Sequence, residues 1–250
     1  GVATNGSGST MASWNWLANG TGVANTDGTI SSTVSANTTS GFSIVKWTST
    51  GSTGTVGHGL GVTPKFIVVK RLEDSGYDWV VYHVNDTAGL YLNSAVVNND
   101  SSAAAIFDRS PTSTVFNITA DGRIGGNTTG KNYIAYCFVD VTGFSKISSY
   151  TGNSSTDGTF VYCGFKPSFI FTKATATGES WQIYDNKRLG FNATEKVLYP
   201  DTSGSESTLA GGVDFLSNGF KWRTGDGGVN SSQLYVYMAF AENPFVATSG

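Results

Sequence analysis

The chain has 250 residues, a formal net charge of −3 and a pI near 5.3, and only 13% of it is charged against about a quarter in an average soluble protein. No Lys/Arg cluster is present to neutralise a phosphate backbone, so nucleic acid is excluded as an expected partner, and no run of about eighteen apolar residues is present to span a membrane. Glycine at 32 residues and aromatics at 13%, among abundant Ser, Thr and Asn, describe short strands joined by tight turns.

In chain order, the first apolar segment is MASWNW at residues 11–16. A Gly/Thr/Ser/Asn-rich stretch over residues 18–40 follows and reads as a linker with turn signals such as NTDG at 25–28. PKFIVVK and DWVVYH are short, β-branched and aromatic, which predicts strands. YIAYCFVDV and, near the end, LYVYMAFA are almost continuously apolar, which predicts central strands covered on both faces. TFVYCGF and SFIFTK are strand-like segments divided by a Gly-Phe-Lys-Pro turn, and GSTG, TADG, STDG and TGDGG supply further turn chemistry. No helical period of apolar residues interrupts the series, so antiparallel sandwiches are expected. The chain opens on Gly1 and carries no secretory leader, so a processed piece or part of something longer is expected.

The sequence matches itself when shifted by 102 or 103 positions. Gly41-Phe42-Ser43 falls on Gly143-Phe144-Ser145, and Thr48 on Thr151. Pro64, Phe66, Ile67 and Lys70 fall on Pro167, Phe169, Ile170 and Lys173. Trp79 and Tyr82 fall on Trp181 and Tyr184, and Tyr133 and Phe138 on Tyr235 and Phe240. The expected architecture is therefore all-β: two tandem antiparallel β-sandwich repeats, residues 41–141 and 142–246, each closing its own core. Residues 1–40 form an N-terminal piece. In it, MASWNW resembles the closing strand of a truncated repeat, with Trp14 and Trp16 in the places of Tyr136 and Phe138. An apolar strand without its sheet leaves backbone groups unpaired. Residues 9–17, including Met11, Trp14 and Trp16, are accordingly expected to dock on a sheet edge of this chain or of a neighbouring subunit.

Candidate chemistry is sparse. Cys137 and Cys163 sit in apolar runs and read as buried free thiols, with a single disulfide as the alternative. Trp79/Trp181 and Tyr82/Tyr184 suit sugar stacking, but aromatics repeated between copies are better read as core. Unrepeated groups are the better binding candidates: Tyr77 and Asp78 in the loop EDSGYD, and Trp222 in FKWRTGDGG. His58, between glycines in VGHGLG, suggests a tight turn, and His83, where the other copy has Asp185, reads as a surface polar residue. Glu73, Asp74 and Asp78 cluster in one loop with a largely uncharged counterpart, so they read as a solvated loop rather than an acid/base pair. The DG loops lack the alternating acids of a calcium site, and no nucleophile, phosphate-loop or zinc signature is present. The expectation is no catalytic residues, no metal and no cofactor.

The blocks GFSIVKWTSTGSTGTVGHGLGVTPKFIVVK, DWVVYH, PTSTVF, YIAYCFVDVTGFSKISSYTGNSSTDGTFVYCGF and YVYMAFAENPF resemble modules of bacteriophage tail fibres and related virion proteins, notably from marine and cyanobacterial phages. The resemblance covers nearly the whole chain. It implies a virion-surface, extracellular location, oligomers, and partners among other copies of the chain, other virion proteins and host surface glycans. Three readings follow: a non-enzymatic host-binding or spacer module, a structural subunit of a capsid decoration or filament assembled by strand exchange, and, last, a carbohydrate-active enzyme.

Overall fold

The computed structural model describes residues 8, 11–86, 89–96, 106–108, 110–189 and 191–244, and every regular element among them is a β-strand. The first half carries β1 (Val23–Asn25), β2 (Ser32–Asn37), β3 (Phe42–Thr50), β4 (Gly54–Gly57), β5 (Phe66–Arg71), β6 (Val80–His83), β7 (Leu90–Tyr91), β8 (Val115–Ile118) and β9 (Thr129–Phe138). The second carries β10 (Ser145–Thr151), β11 (Phe160–Tyr162), β12 (Pro167–Ala174), β13 (Gln182–Asp185), β14 (Thr194–Val197), β15 (Ser207–Leu216), β16 (Gly219–Trp222) and β17 (Leu234–Ala241).

The strand order β3-β9-β5-β6 in the first half recurs as β10-β17-β12-β13 in the second, all antiparallel. A second sheet lies behind each: β4-β8 in the first half and β11-β16-β15-β14 in the second. The ladders define the equivalence. Phe66 and Phe169 oppose Phe138 and Phe240 respectively. On the other edge of those closing strands, Phe42 opposes Phe138 while Ser145 opposes Phe240. Structurally, Ser145 therefore takes the place of Phe42, one residue off the sequence overlay of the two GFS triplets. Phe144 precedes the strand in a turn closed by its N–H on the Val141 carbonyl at 2.9 Å.

Alternation along the closing strands builds three apolar clusters. Tyr133, Ala135 and Cys137 of β9 face the second sheet of their own half, together with Trp47, Phe116 and Ile124. Tyr235, Tyr237 and Ala239 of β17 do the same beside Tyr150, Phe220 and Trp222. The opposite faces meet each other: Phe66, Val68, Val81 and Phe138 pack on Phe169, Phe171, Trp181, Ile183, Met238 and Phe240. That shared seam is why β9 and β17 read as apolar throughout. It supplies the second cover that their almost continuous apolar runs demanded, at roughly 1.5–3 kcal/mol for each large side chain fully withdrawn from water.

The segment expected to be a linker is partly structural. Its β2 pairs with β3 from Asn37↔Phe42 to Ser32↔Trp47, and β1 pairs with β2. The segment expected to dock on an edge, of which residues 9 and 10 lie outside the described residues, does not pair with an edge of this chain. Among the described residues, 11–17 enter no ladder. The arm lies against the seam by its side chains, with Trp14, Trp16 and Ala18 half-buried. Met11 remains 52% exposed and Leu17 78% exposed. Asn37 Nδ2 and Ser40 Oγ donate to the Leu17 carbonyl at 3.2 and 3.3 Å and fix the arm's end.

Candidate functional site

The seam does not close completely. Along one side it opens into a cleft of about 440 Å³. Its walls are Phe42 and Ile44 of β3, Tyr136 of β9, Trp79 and Leu92 from the neighbouring loops, Phe169, Phe171 and Ile183 of the facing repeat, and the indoles of Trp14 and Trp16. Alternation places these side chains here: Phe42, Ile44, Tyr136 and Phe138 all occupy the strand face opposite Val45, Trp47, Ala135 and Cys137, which fill the first core. Tyr136 lies between two parallel rings, Phe42 at 6.4 Å and Trp79 at 6.5 Å between centroids. Trp16 stands edge-on to Phe138, Phe169 and Phe240 at 5.8, 5.8 and 5.4 Å. Trp14 is edge-on to Phe169 at 5.6 Å, and the Arg188 guanidinium lies 6.0 Å from its ring. Among the described residues, no carboxylate, histidine, lysine or cysteine lines the cleft. What it offers is aromatic and aliphatic area.

The binding candidates read from the sequence are not brought together. Trp222 is 0% exposed, so its assignment as a binding residue is corrected. Its ring packs on Tyr184 and Phe220 at 5.3 and 5.7 Å inside the second core, while Lys221 and Arg223 alternate to the outer face and pair with Asp157 and Asp214. Tyr77 is half-buried under the Arg71 guanidinium, 4.2 Å from its ring centroid, and Asp78 accepts from Asn93 Nδ2 at 2.9 Å. The acids of that loop splay: Glu73 accepts the Asn132 N–H at 2.8 Å, and Asp74 pairs with Arg71 and, at 3.6 Å, with Lys131. The repeated tryptophans have different surroundings. Trp79 lines the cleft. Trp181 is 1% exposed, stacks on Phe171 at 4.4 Å and donates its indole N–H to the Tyr91 carbonyl of the other repeat at 2.8 Å.

Both histidines are buried. His58 sits between the end of β4 and Gly59 at φ 70°, and its Nε2 bonds the Thr112 carbonyl at 3.2 Å while Nδ1 accepts the Leu60 N–H. At Gly59 a side chain would meet both the left-handed backbone and Val34 Cγ1 at 2.9 Å. His83 was expected on the surface and is 1% exposed. The facing repeat covers it: its Nε2 bonds the Tyr237 carbonyl at 3.3 Å, and Nδ1 accepts the Asn85 N–H at 3.1 Å. Burial pulls its pKa down to about 4, against the opposing pull of the Tyr237 carbonyl, Asp86 and Asp140. The recurring lysine is also structural. Lys70 Nζ donates to the Tyr77 carbonyl, and Lys173 Nζ donates to the carbonyl of the matching Glu179 and to Ala95 of the other repeat. Burial lowers the Lys173 pKa to about 8. Cys137 and Cys163 are free, buried in separate cores, and pushed up to about 12 by burial. Among the described residues, no group of three or more His, Cys, Asp or Glu side chains is placed to hold a metal ion.

Compared with known families, residues 2–244 match the model of one described as a domain of unknown function, DUF7483. No curated protein and no solved structure matches the chain.

Proposed function

The chain belongs to the DUF7483 family, and we propose that it is a non-enzymatic, tail-fibre-like module of a virion surface, acting as a spacer and as a platform for contact with the host surface. One observation carries this reading. The cleft between the repeats is walled by aromatic and aliphatic side chains, with no acid, base or nucleophile among its described lining residues. A glycosidase needs two carboxyl groups facing one another across a substrate groove. Here the loop acids are each held by a separate partner. The resemblance of the repeat blocks to phage fibre modules supports the virion location. The paired sandwiches support the spacer role, because the seam between them buries a continuous aromatic and aliphatic cluster.

The test is to add the purified chain to cells and to a surface-glycan array. Saturable binding makes it an adhesin, and absence of binding on every surface leaves the spacer role alone. Release of reducing ends from capsular or cell-wall polysaccharide overturns the reading in favour of an enzyme.

A further inference from the structure

Three repeat-equivalent residues meet at the middle of the seam. Trp16, Phe138 and Phe240 occupy the same position of the closing-strand pattern in the arm, the first repeat and the second. Their rings form a triangle: Trp16 to Phe138 is 5.8 Å, Trp16 to Phe240 is 5.4 Å, and Phe138 to Phe240 is 6.3 Å. Two positions earlier, Trp14, Tyr136 and Met238 all line the cleft. The arm thus contributes to the hub the same face that β9 and β17 contribute.

Its other face is bare. By the same equivalence Met11, Ser13, Asn15 and Leu17 match Tyr133, Ala135, Cys137 and Val139, the face that fills the first core. Tyr133 and Val139 are 0% and 6% exposed, whereas Met11 and Leu17 are 52% and 78% exposed. The arm's backbone enters no ladder among the described residues, although each closing strand is paired on both edges. A segment that matches a closing strand in sequence, with one face docked, one face open and no ladder on either edge, lacks a sandwich. The cleft beside it continues the aromatic wall of the established seam.

We infer that this third side of the hub is the seat of a third sandwich of the same repeat. Residues 11–17 would be its closing strand, strands like β3 and β5 would flank them, and the outer face of the β5-like strand would fill the cleft as Phe66, Val68, Phe169 and Phe171 fill the existing seam. The seat does not depend on the virion assignment.

The test is an extended chain with a second copy of residues 41–122 placed directly ahead of Gly1, which preserves the repeat's own spacing to the arm. The added stretch then holds β3 to β8 of the repeat, every strand of residues 41–141 except the closing one. The expected result is that it folds, that the amides of residues 11–17 shift from free-peptide exchange rates to those of β9, and that L17C, labelled by thiol reagents in the 250-residue chain, becomes unreactive in the extended one. Folding of the added stretch with the arm amides and L17C still open overturns the proposal. Because the added stretch carries its own folding risk, a synthetic peptide of residues 41–50 is also added to the 250-residue chain. If neither the extension nor the peptide slows exchange in residues 11–17, the seat does not exist.

Discussion

Replacing His83 with Gln gives a quantitative test of the seam. The imidazole is neutral in the folded chain, with its pKa drawn down to about 4 by burial between the repeats, whereas in the unfolded chain it titrates near the ordinary value of about 6.5. Between those values the unfolded state binds the extra proton, so His83 contributes its full stability above about pH 6.5 and loses it as pH falls toward 4. The gap corresponds to roughly 3 kcal/mol, of which roughly 2 kcal/mol is gone by about pH 5. Glutamine can still donate to the Tyr237 carbonyl and accept the Asn85 N–H, but it does not titrate. Urea unfolding followed by tryptophan fluorescence at about pH 7.5 and about pH 5 is therefore expected to show the parent losing roughly 2 kcal/mol more than H83Q. His58, whose pKa is also lowered by burial, is common to both proteins and cancels in the difference. If parent and variant lose the same stability over this interval, the imidazole does not titrate through burial at the seam, and its assigned place there is wrong.

Trp181→Ala removes the ring stacked on Phe171 and the indole bond to Tyr91, and a loss of about 3–5 kcal/mol is expected in the same unfolding assay. Trp222→Ala should cost about the same, because it hollows the second core. A variant that keeps its stability while losing a ligand would restore the discarded binding role. Lys173→Met leaves the Ala95 and Glu179 carbonyls without their buried donor, and a loss of about 1–3 kcal/mol is expected by denaturant titration. Cys137 and Cys163, buried and with raised pKa values, should resist an aromatic disulfide reagent in the native chain and both react after denaturation.

The sandwich strands were legible because their chemistry is local. The β-branched and aromatic runs of PKFIVVK and SFIFTK, turn glycines, and the offset of 102 or 103 all survive translation into ladders. The two-sided burial of β9 and β17 was legible too, but not what covers the second face, since a period of two counts faces without naming partners. His83 was misread for that reason: its neighbours in sequence place it at a strand end, and only the other repeat buries it. Trp222 could have been found from its flanks. Lys221 and Arg223 must point outward, so the residue between them points in. The arm could not have been placed, because its attachment is side chain against side chain and leaves no ladder pattern to read.

Joining the facing sheets through one polypeptide has a consequence for divergence. In a symmetric homodimer a single replacement is felt twice, once on each side of the axis. Here each position meets only its own opposite number. The histidine buried against Tyr237 has an aspartate as its counterpart, and a cleft-lining indole has a sealed one. Carrying both repeats in one polypeptide thus leaves the two faces of the seam non-identical, each free to be retuned alone.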